Sequence, residues 1–181
     1  LTSLVSQIEQ TGLNAVPIVA LLTFMVGAVV AFLGATVLNN FGASIYTVDL
    51  VAYSFMREFG VLLTAIMLAG RTASAFTAQL GSMKANQELD ALRVQGLDPI
   101  EMLVLPRILA LMITLPMLTF LAVLCGLIGG GAVAVLSLDI PTTRFFDIVS
   151  EVPLRHYLVG LSKAPFFAFL IGLIGCLEGF K

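Results

Sequence analysis

An all-α bundle of membrane-spanning helices is the fold class this 181-residue sequence predicts, and three observations predict it. Apolar residues make up 59% of the chain and charged residues 11%, where a soluble domain carries roughly a quarter charged. Residues 10–40 and 108–138 contain no charged side chain at all, and a bilayer span needs only about 20 apolar residues. The net charge of -2 excludes a basic nucleic-acid binder, and Cys125 and Cys176 lie in apolar segments outside any metal or redox spacing.

Four spans follow in order. The first, within residues 13–38, is uninterrupted. The second, within residues 50–81, carries Arg57, Glu58 and Arg71 and is longer than one helix perpendicular to a bilayer requires. The segment 84–107 then holds the densest charge in the chain, including Glu88, Asp90, Asp98 and Glu101, and so faces water or a protein. Within it, Ala85, Leu89 and Leu92 recur at i, i+4, i+7 opposite Lys84, Gln87, Glu88 and Ala91, which predicts a short amphipathic helix ended by Gly96. Asp98 as N-cap, Pro99 at the first position and Glu101 at the third predict a second short helix running toward Pro106. The third span covers about residues 108–136, and the fourth, within residues 157–179, carries Lys163 followed by Pro165. Between these two, Phe145, Phe146, Ile148 and Val149 among Asp139, Arg144, Asp147 and Glu151 predict an interfacial amphipathic turn of helix.

Cytoplasmic loops keep an excess of Lys and Arg. Lys84, Arg93 and Arg107 lie between spans two and three and Lys181 follows span four, whereas the opposite side has Arg144 and Arg155. This bias places residues 84–107 in the cytoplasm. Gly126 with Gly130, and Gly175 with Gly179, are GxxxG pairs, read as helix packing within the chain or in a dimer, with a Gly-rich substrate surface as the alternative. No GxxxxGK[ST] loop occurs, so ATP hydrolysis is not expected of this chain.

An ionisable group inside a bilayer costs about 2.5 to 3.5 kcal/mol on insertion scales, so it pairs or faces a wet cavity. Arg57 and Arg71, 14 residues apart, project within roughly 40° of each other and about 21 Å apart along a regular helix, with Thr64 on the same stripe. Arg57 and Glu58, about 100° apart as neighbours, are not expected to pair on one helix; their partners would come from another helix, a second protomer or a ligand. A phosphate suits an arginine well. Two readings stay open: Arg57 and Glu58 snorkel to water at the outer end of the span, or they line a polar cavity with Thr64 and Arg71 where a lipid headgroup sits. For Arg71 itself, beside Ala69 and Gly70, a structural salt bridge or backbone contact is expected. Lys163 either satisfies a helix break or meets an acidic lipid, and His156, without a ligand-spaced partner, is read as solvated or hydrogen-bonded. The segment 84–107 is likewise either an interfacial hairpin or a docking element for a soluble partner.

Met56-Arg57-Glu58-Phe59-Gly60, then Ala69-Gly70-Arg71-Thr72-Ala73-Ser74-Ala75, Gly81-Ser82-Met83-Lys84, Leu89-Asp90-Ala91-Leu92, Gly96-Leu97-Asp98-Pro99 and Leu105-Pro106-Arg107 resemble, in order and spacing, the MlaE/YrbE family of ABC-transporter permeases. The resemblance covers nearly the whole chain and is most specific between Met56 and Arg107. The family's fifth, C-terminal span beyond Lys181 is missing, and the chain starts without an initiator Met, so a piece of a longer protein truncated at both ends is expected, forming one permease domain over residues 1–181.

The resemblance implies a homodimeric permease of a Gram-negative inner membrane or related envelope. It would work with a cytoplasmic ATPase and an MCE-domain periplasmic protein to move phospholipid between membranes. ATP and Mg²⁺ would be held by the partner ATPase and no cofactor by this chain. The family's coupling helix, which docks on the ATPase, maps onto Lys84, Gln87, Glu88, Leu89, Asp90, Leu92, Arg93 and Gly96, so Leu89→Asp is expected to release the ATPase. The resemblance also implies a lipid cavity between two protomers, near the outer part of the second span, with Arg57, Glu58, Thr64 and Arg71 as candidates. The sequence departs from the family pattern at Val61, where a Pro is usual, at Gln79, where an acidic residue is usual, and in the order Gln87-Glu88. An ion- or proton-coupled carrier or channel without an ATPase, using the intramembrane Arg and Glu as its relay, is the competing class, and a structural membrane scaffold a third.

Overall fold

The computed structural model describes residues 2–181, with side chains from Leu4 onward, and the elements among them are all helical. α1 (Thr2–Thr11) leads through a 3-10 turn (Leu13–Ala15) into α2 (Val16–Asn39). The others are α3 (Tyr46–Ala85), α4 (Glu88–Val94), α5 (Ile100–Leu138), α6 (Thr142–Glu151) and α7 (Leu154–Phe180). Four stretches, Leu4–Asn39 and the whole of α3, α5 and α7, are long and apolar enough to cross a membrane. The four expected spans all lie inside them, and the protein is a multi-pass membrane bundle. The 40 residues of α3 measure about 60 Å at 1.5 Å per residue. That is twice a hydrocarbon core of about 30 Å, so part of α3 stands outside the hydrocarbon even at a steep tilt.

Two expectations in the segment 84–107 are corrected. Ala85 is the last residue of α3, and a break at Asn86 and Gln87, with Gln87 left-handed at φ 60, separates it from Leu89 and Leu92, so the three do not form one helical stripe. The helix that starts at Asp98 does not stop at Pro106. Asp98 caps as expected, its side chain accepting the Ile100 N–H at 2.9 Å, but the chain then makes a π turn (Ile100–Val104) and continues as α5. The widened turn, with the Leu105 N–H reaching back to the Ile100 carbonyl, relieves the clash that a proline ring brings to the preceding turn. Two further π turns interrupt α3, at Phe55–Phe59 and Ala69–Ala73. Val61, where a proline kink was in question, is buried within the continuous helix.

The chain divides into two compact units, one of Leu1–Ala15, Ala65–Met117 and Ala164–Lys181, the other of Val16–Thr64 and Leu118–Lys163. In the first unit Leu68, Leu80, Leu111 and Leu115 are fully buried. There α7 lies against α3 through the Gly175 and Gly179 pair, Gly175 beside Ala73 and Gly179 beside Thr77 and Leu80, and the Thr77 hydroxyl donates to the Gly175 carbonyl at 2.8 Å. In the second unit α2 meets α5 backbone to backbone. A Cβ on Gly27 would stand 2.1 Å from the Gly126 carbonyl oxygen, so no larger residue fits that crossing. Gly126 and Gly130 also admit the Phe55 ring and Val51 of α3. Both GxxxG pairs therefore pack helices within this chain. α6 has the expected amphipathic form: Phe145 and Ile148 join a cluster with Val48, Ala134 and Ile140, while Phe146 is exposed.

Candidate functional site

The site grows out of the first π turn of α3. Phe55 is fully buried and anchors the turn, and Gly60, whose N–H reaches back five residues to the Phe55 carbonyl, presses against Val123 of α5 so closely that a Cβ would come within 2.5 Å of it. With those two residues fixed inward, Arg57 and Glu58 take the accessible side of the turn. α7 supplies the third charge. Gly160 lets α7 approach the Met56 carbonyl to a distance that a Cβ would cut to 2.3 Å, and one turn further Lys163 donates to both carboxylate oxygens of Glu58, at 2.7 and 2.8 Å. The partner of Glu58 thus comes from another helix, one of the sources expected. Arg57 Nε also stands 3.6 Å from Glu58 Oε1, which corrects the expectation that neighbours on one helix cannot meet. A π turn packs more residues into each turn than an α turn, so the angle between adjacent side chains shrinks and two long ones converge.

The cluster of Arg57, Glu58 and Lys163 carries one negative and two positive charges. Its side chains stay 55%, 43% and 35% exposed, so it can meet a ligand. Beside it, in the same unit, Met56, Phe120, Leu124, Leu127 and Tyr157 line an apolar hollow of about 300 Å³. Phe120 and Tyr157 meet edge to face there, and His156, the residue before Tyr157, packs edge-on against Tyr53 at 5.0 Å. A charged cluster next to an apolar hollow matches the two ends of an amphiphile.

The other sequence candidates fall elsewhere. Thr64 is fully buried and its hydroxyl donates to the Gly60 carbonyl at 2.8 Å, so it satisfies backbone next to the π turn rather than lining a cavity. The regular-helix projection that put it on a stripe with Arg57 and Arg71 fails because both arginines sit on π turns. Arg71 belongs to the first unit and is exposed; of the structural salt bridge or backbone contact expected of it, its side chain makes no ion pair among the described residues, while its backbone carbonyl accepts the Ser74 hydroxyl at 2.9 Å. Arg71 lines a cavity of about 360 Å³ in that unit together with Gln10, Asn14 and Gln79.

Within the segment proposed for coupling, Leu89 is only 4% exposed, so Leu89→Asp tests folding of the segment rather than docking. The face left free is Glu88, Asp90, Arg93 and, above all, Val94, which is 88% exposed; Asp90 and Arg93 pair there at 3.2 Å. Lys84, also exposed, instead donates to the Phe180 and Lys181 carbonyls at 2.9 and 2.7 Å. Gly96, at φ 76, holds the left-handed position that closes α4, as its place in the sequence predicted.

Two contributors were missed from sequence. Lys163 was noticed but left without a partner, although an intramembrane lysine in a chain with an intramembrane glutamate was itself the signal. Arg107 was counted as a loop residue, yet it is buried on α5, with Nη2 donating to Gln79 Oε1 at 3.1 Å and the guanidinium 5.2 Å over the Phe76 ring. The uncharged run begins at Ile108, directly after it, so nothing in the sequence signalled that Arg107 is buried.

Comparison with known proteins agrees with this architecture. Residues 4–181 match the family Permease MlaE. The intermembrane phospholipid transport system permease protein MlaE of Haemophilus influenzae is 34% identical over 179 residues, covering 98% of this chain and 69% of that protein. A probable ABC transporter permease protein of Rickettsia felis is 34% identical over 186 residues, 99% of this chain and 70% of the relative. Another, from Synechocystis, is 33% identical over 174 residues, 96% of this chain and 66% of the relative. A family match over nearly the whole chain and relatives at this identity, on an all-helical multi-pass bundle, make this chain a permease of the MlaE family.

Proposed function

We propose that this chain is the membrane-spanning subunit of an ABC transporter that moves phospholipids between membranes of the cell envelope. The cluster of Arg57, Glu58 and Lys163 would receive the headgroup, and the apolar hollow beside it part of an acyl chain. The observation that carries this reading is the cluster itself: its net charge is +1, it stays accessible, and an apolar hollow opens in the same unit. Arg57 is the phosphate ligand, because its planar guanidinium presents two parallel donors to two phosphate oxygens, whereas Lys163 is already committed to both oxygens of Glu58. Glu58 in turn holds Lys163 in place.

Energy comes in this reading from a partner ATPase carrying ATP and Mg²⁺, docked on the exposed face of α4 around Val94, so the permease itself performs no catalysis. A second copy of the chain, an MCE-domain periplasmic partner and an inner-membrane location complete the proposal, on the strength of the family and of the relative whose printed name describes intermembrane phospholipid transport. The test is ATP-dependent transfer of fluorescent phospholipid between vesicles by the reconstituted complete transporter. Arg57→Ala and Glu58→Ala are expected to lower the transfer rate at least tenfold while membrane insertion and complex assembly stay intact. Transfer at the unaltered rate in both variants would remove the cluster from the lipid path.

A further inference from the structure

The cavity around Arg71 belongs to no part of the cluster just described, and its chemistry is of one sign. Its wall is made of Gln10 and Asn14, at the break between α1 and α2, and of Arg71, Phe76 and Gln79 on α3. Among the described residues no carboxylate lines it; Glu9, next in sequence to Gln10, is not part of the wall. Behind the wall stands a second guanidinium. Arg107 is 95% buried, being 5% exposed, and it is directed at two of the wall residues, bonding Gln79 through Nη2 and lying over the ring of Phe76. Its Nη1 is buried with no hydrogen-bond partner among the described residues, and the weakly accepting thiol of Cys176 lies near the guanidinium.

Two permanent positive charges in a membrane-spanning unit, answered among the described residues by amides, an aromatic ring and a thiol but by no carboxylate, leave the region short of an anion. A neutral amide at position 79 matters here. A Gln offers Arg107 one carbonyl oxygen and no charge, and it turns its NH₂ group into a donor available to a ligand. Arg71, Gln79, Gln10 and Asn14 together offer a planar guanidinium and three amides, the donor set that holds a phosphate. The volume of about 360 Å³ admits a phosphodiester headgroup. Arg71 lies 13 residues, about 20 Å of helix, from Lys84, and Asn14 of the 3-10 turn at Leu13–Ala15 joins the same wall.

We infer that this cavity is a second anion site, which binds a phosphate-bearing group through Arg71, with Arg107 supplying a second positive charge from behind Gln79. The site is separate from the cluster at Glu58 and does not depend on the transport reading.

The experiment uses the full-length permease, purified in a neutral detergent and freed of lipid, and follows its thermal unfolding during titration with dihexanoyl-phosphatidylglycerol or with inorganic phosphate. The short-chain lipid is expected to raise the unfolding temperature by several degrees. Arg71→Gln and Gln79→Glu are each expected to raise the half-saturating concentration at least tenfold, the first by removing the ligand and the second by placing a carboxylate in the wall and neutralising Arg107. Gln79→Glu keeps the bond to Arg107, so its loss of binding comes without loss of fold. Saturation by the lipid alone assigns the site to a headgroup, and equal saturation by inorganic phosphate assigns it to the free anion; both support the site. The same half-saturation in Arg71→Gln, Gln79→Glu and the unaltered protein overturns it, as does a response abolished by Arg57→Gln and untouched by Arg71→Gln, which would belong to the other cluster.

Discussion

The two units solve the same electrostatic problem in different ways. In the second unit the charges at the π turn of α3 are answered inside the chain: Lys163 reaches both oxygens of Glu58, and Arg57 leans on the same carboxylate. In the first unit Arg71 and Arg107 meet amides, an aromatic face and a thiol, but no carboxylate among the described residues. Where hydration is withdrawn, a charge is stable only with its opposite or with strong donors and acceptors around it. One cluster is therefore largely self-sufficient and uses its surplus arginine outward, whereas the other is complete only with a partner from outside. The difference teaches that intramembrane charge should be read by its local sum rather than by its residue types.

Thermal or denaturant unfolding in detergent can break or sharpen that contrast. The largest effect is expected at the self-sufficient cluster. Lys163→Met takes both short hydrogen bonds from the Glu58 carboxylate, leaving it the 3.6 Å contact with Arg57, and should cost about 1 to 3 kcal/mol, the worth of hydrogen bonds to a charged group. The double variant Glu58→Gln with Lys163→Met should recover most of that loss, and additive losses would show that the pair is not coupled. Next in size is Gln79→Glu, which adds a carboxylate where the first unit has none and should raise stability by about 1 kcal/mol, the difference between a charged and a neutral acceptor for Arg107. A lower stability would mean that Arg107 is already compensated. Smallest is Arg71→Gln in lipid-free protein, expected to stay within about 0.5 kcal/mol of the unaltered chain because no side-chain partner is lost. A loss as large as that of Lys163→Met would erase the contrast between the units.

Much of this was legible in the sequence. The uncharged windows located all four spans, Gly96 and Asp98 marked the end of α4 and the start of α5, and the apolar spacing of Phe145 and Ile148 gave α6 its buried face. These features are local: a window, a cap or a periodicity acts over a few residues, and the chain cannot evade it. What was misread depended on departures from regular geometry. Thr64 left its expected stripe, and Arg57 met Glu58, because a π turn rephases the helix and no residue type announces one. Leu89 was buried where a free docking face was expected, because the break at Gln87 turned α4 over relative to α3.

The sequence by itself therefore determined that the chain is a helical membrane bundle and, through its motif run, that it belongs with the MlaE permeases. Hydrophobicity and turn chemistry are written residue by residue, and lipid leaves the backbone almost no alternative to helix. Only the tertiary structure decided which charges meet. Glu58 finds Lys163 105 positions away because Gly160 lets two helices close on each other, and Arg107 is left facing an amide because the carbonyl within its reach belongs to Gln79. Such pairings depend on helix crossing and rotation to within an ångström or two, and those are set by the packing of many side chains at once.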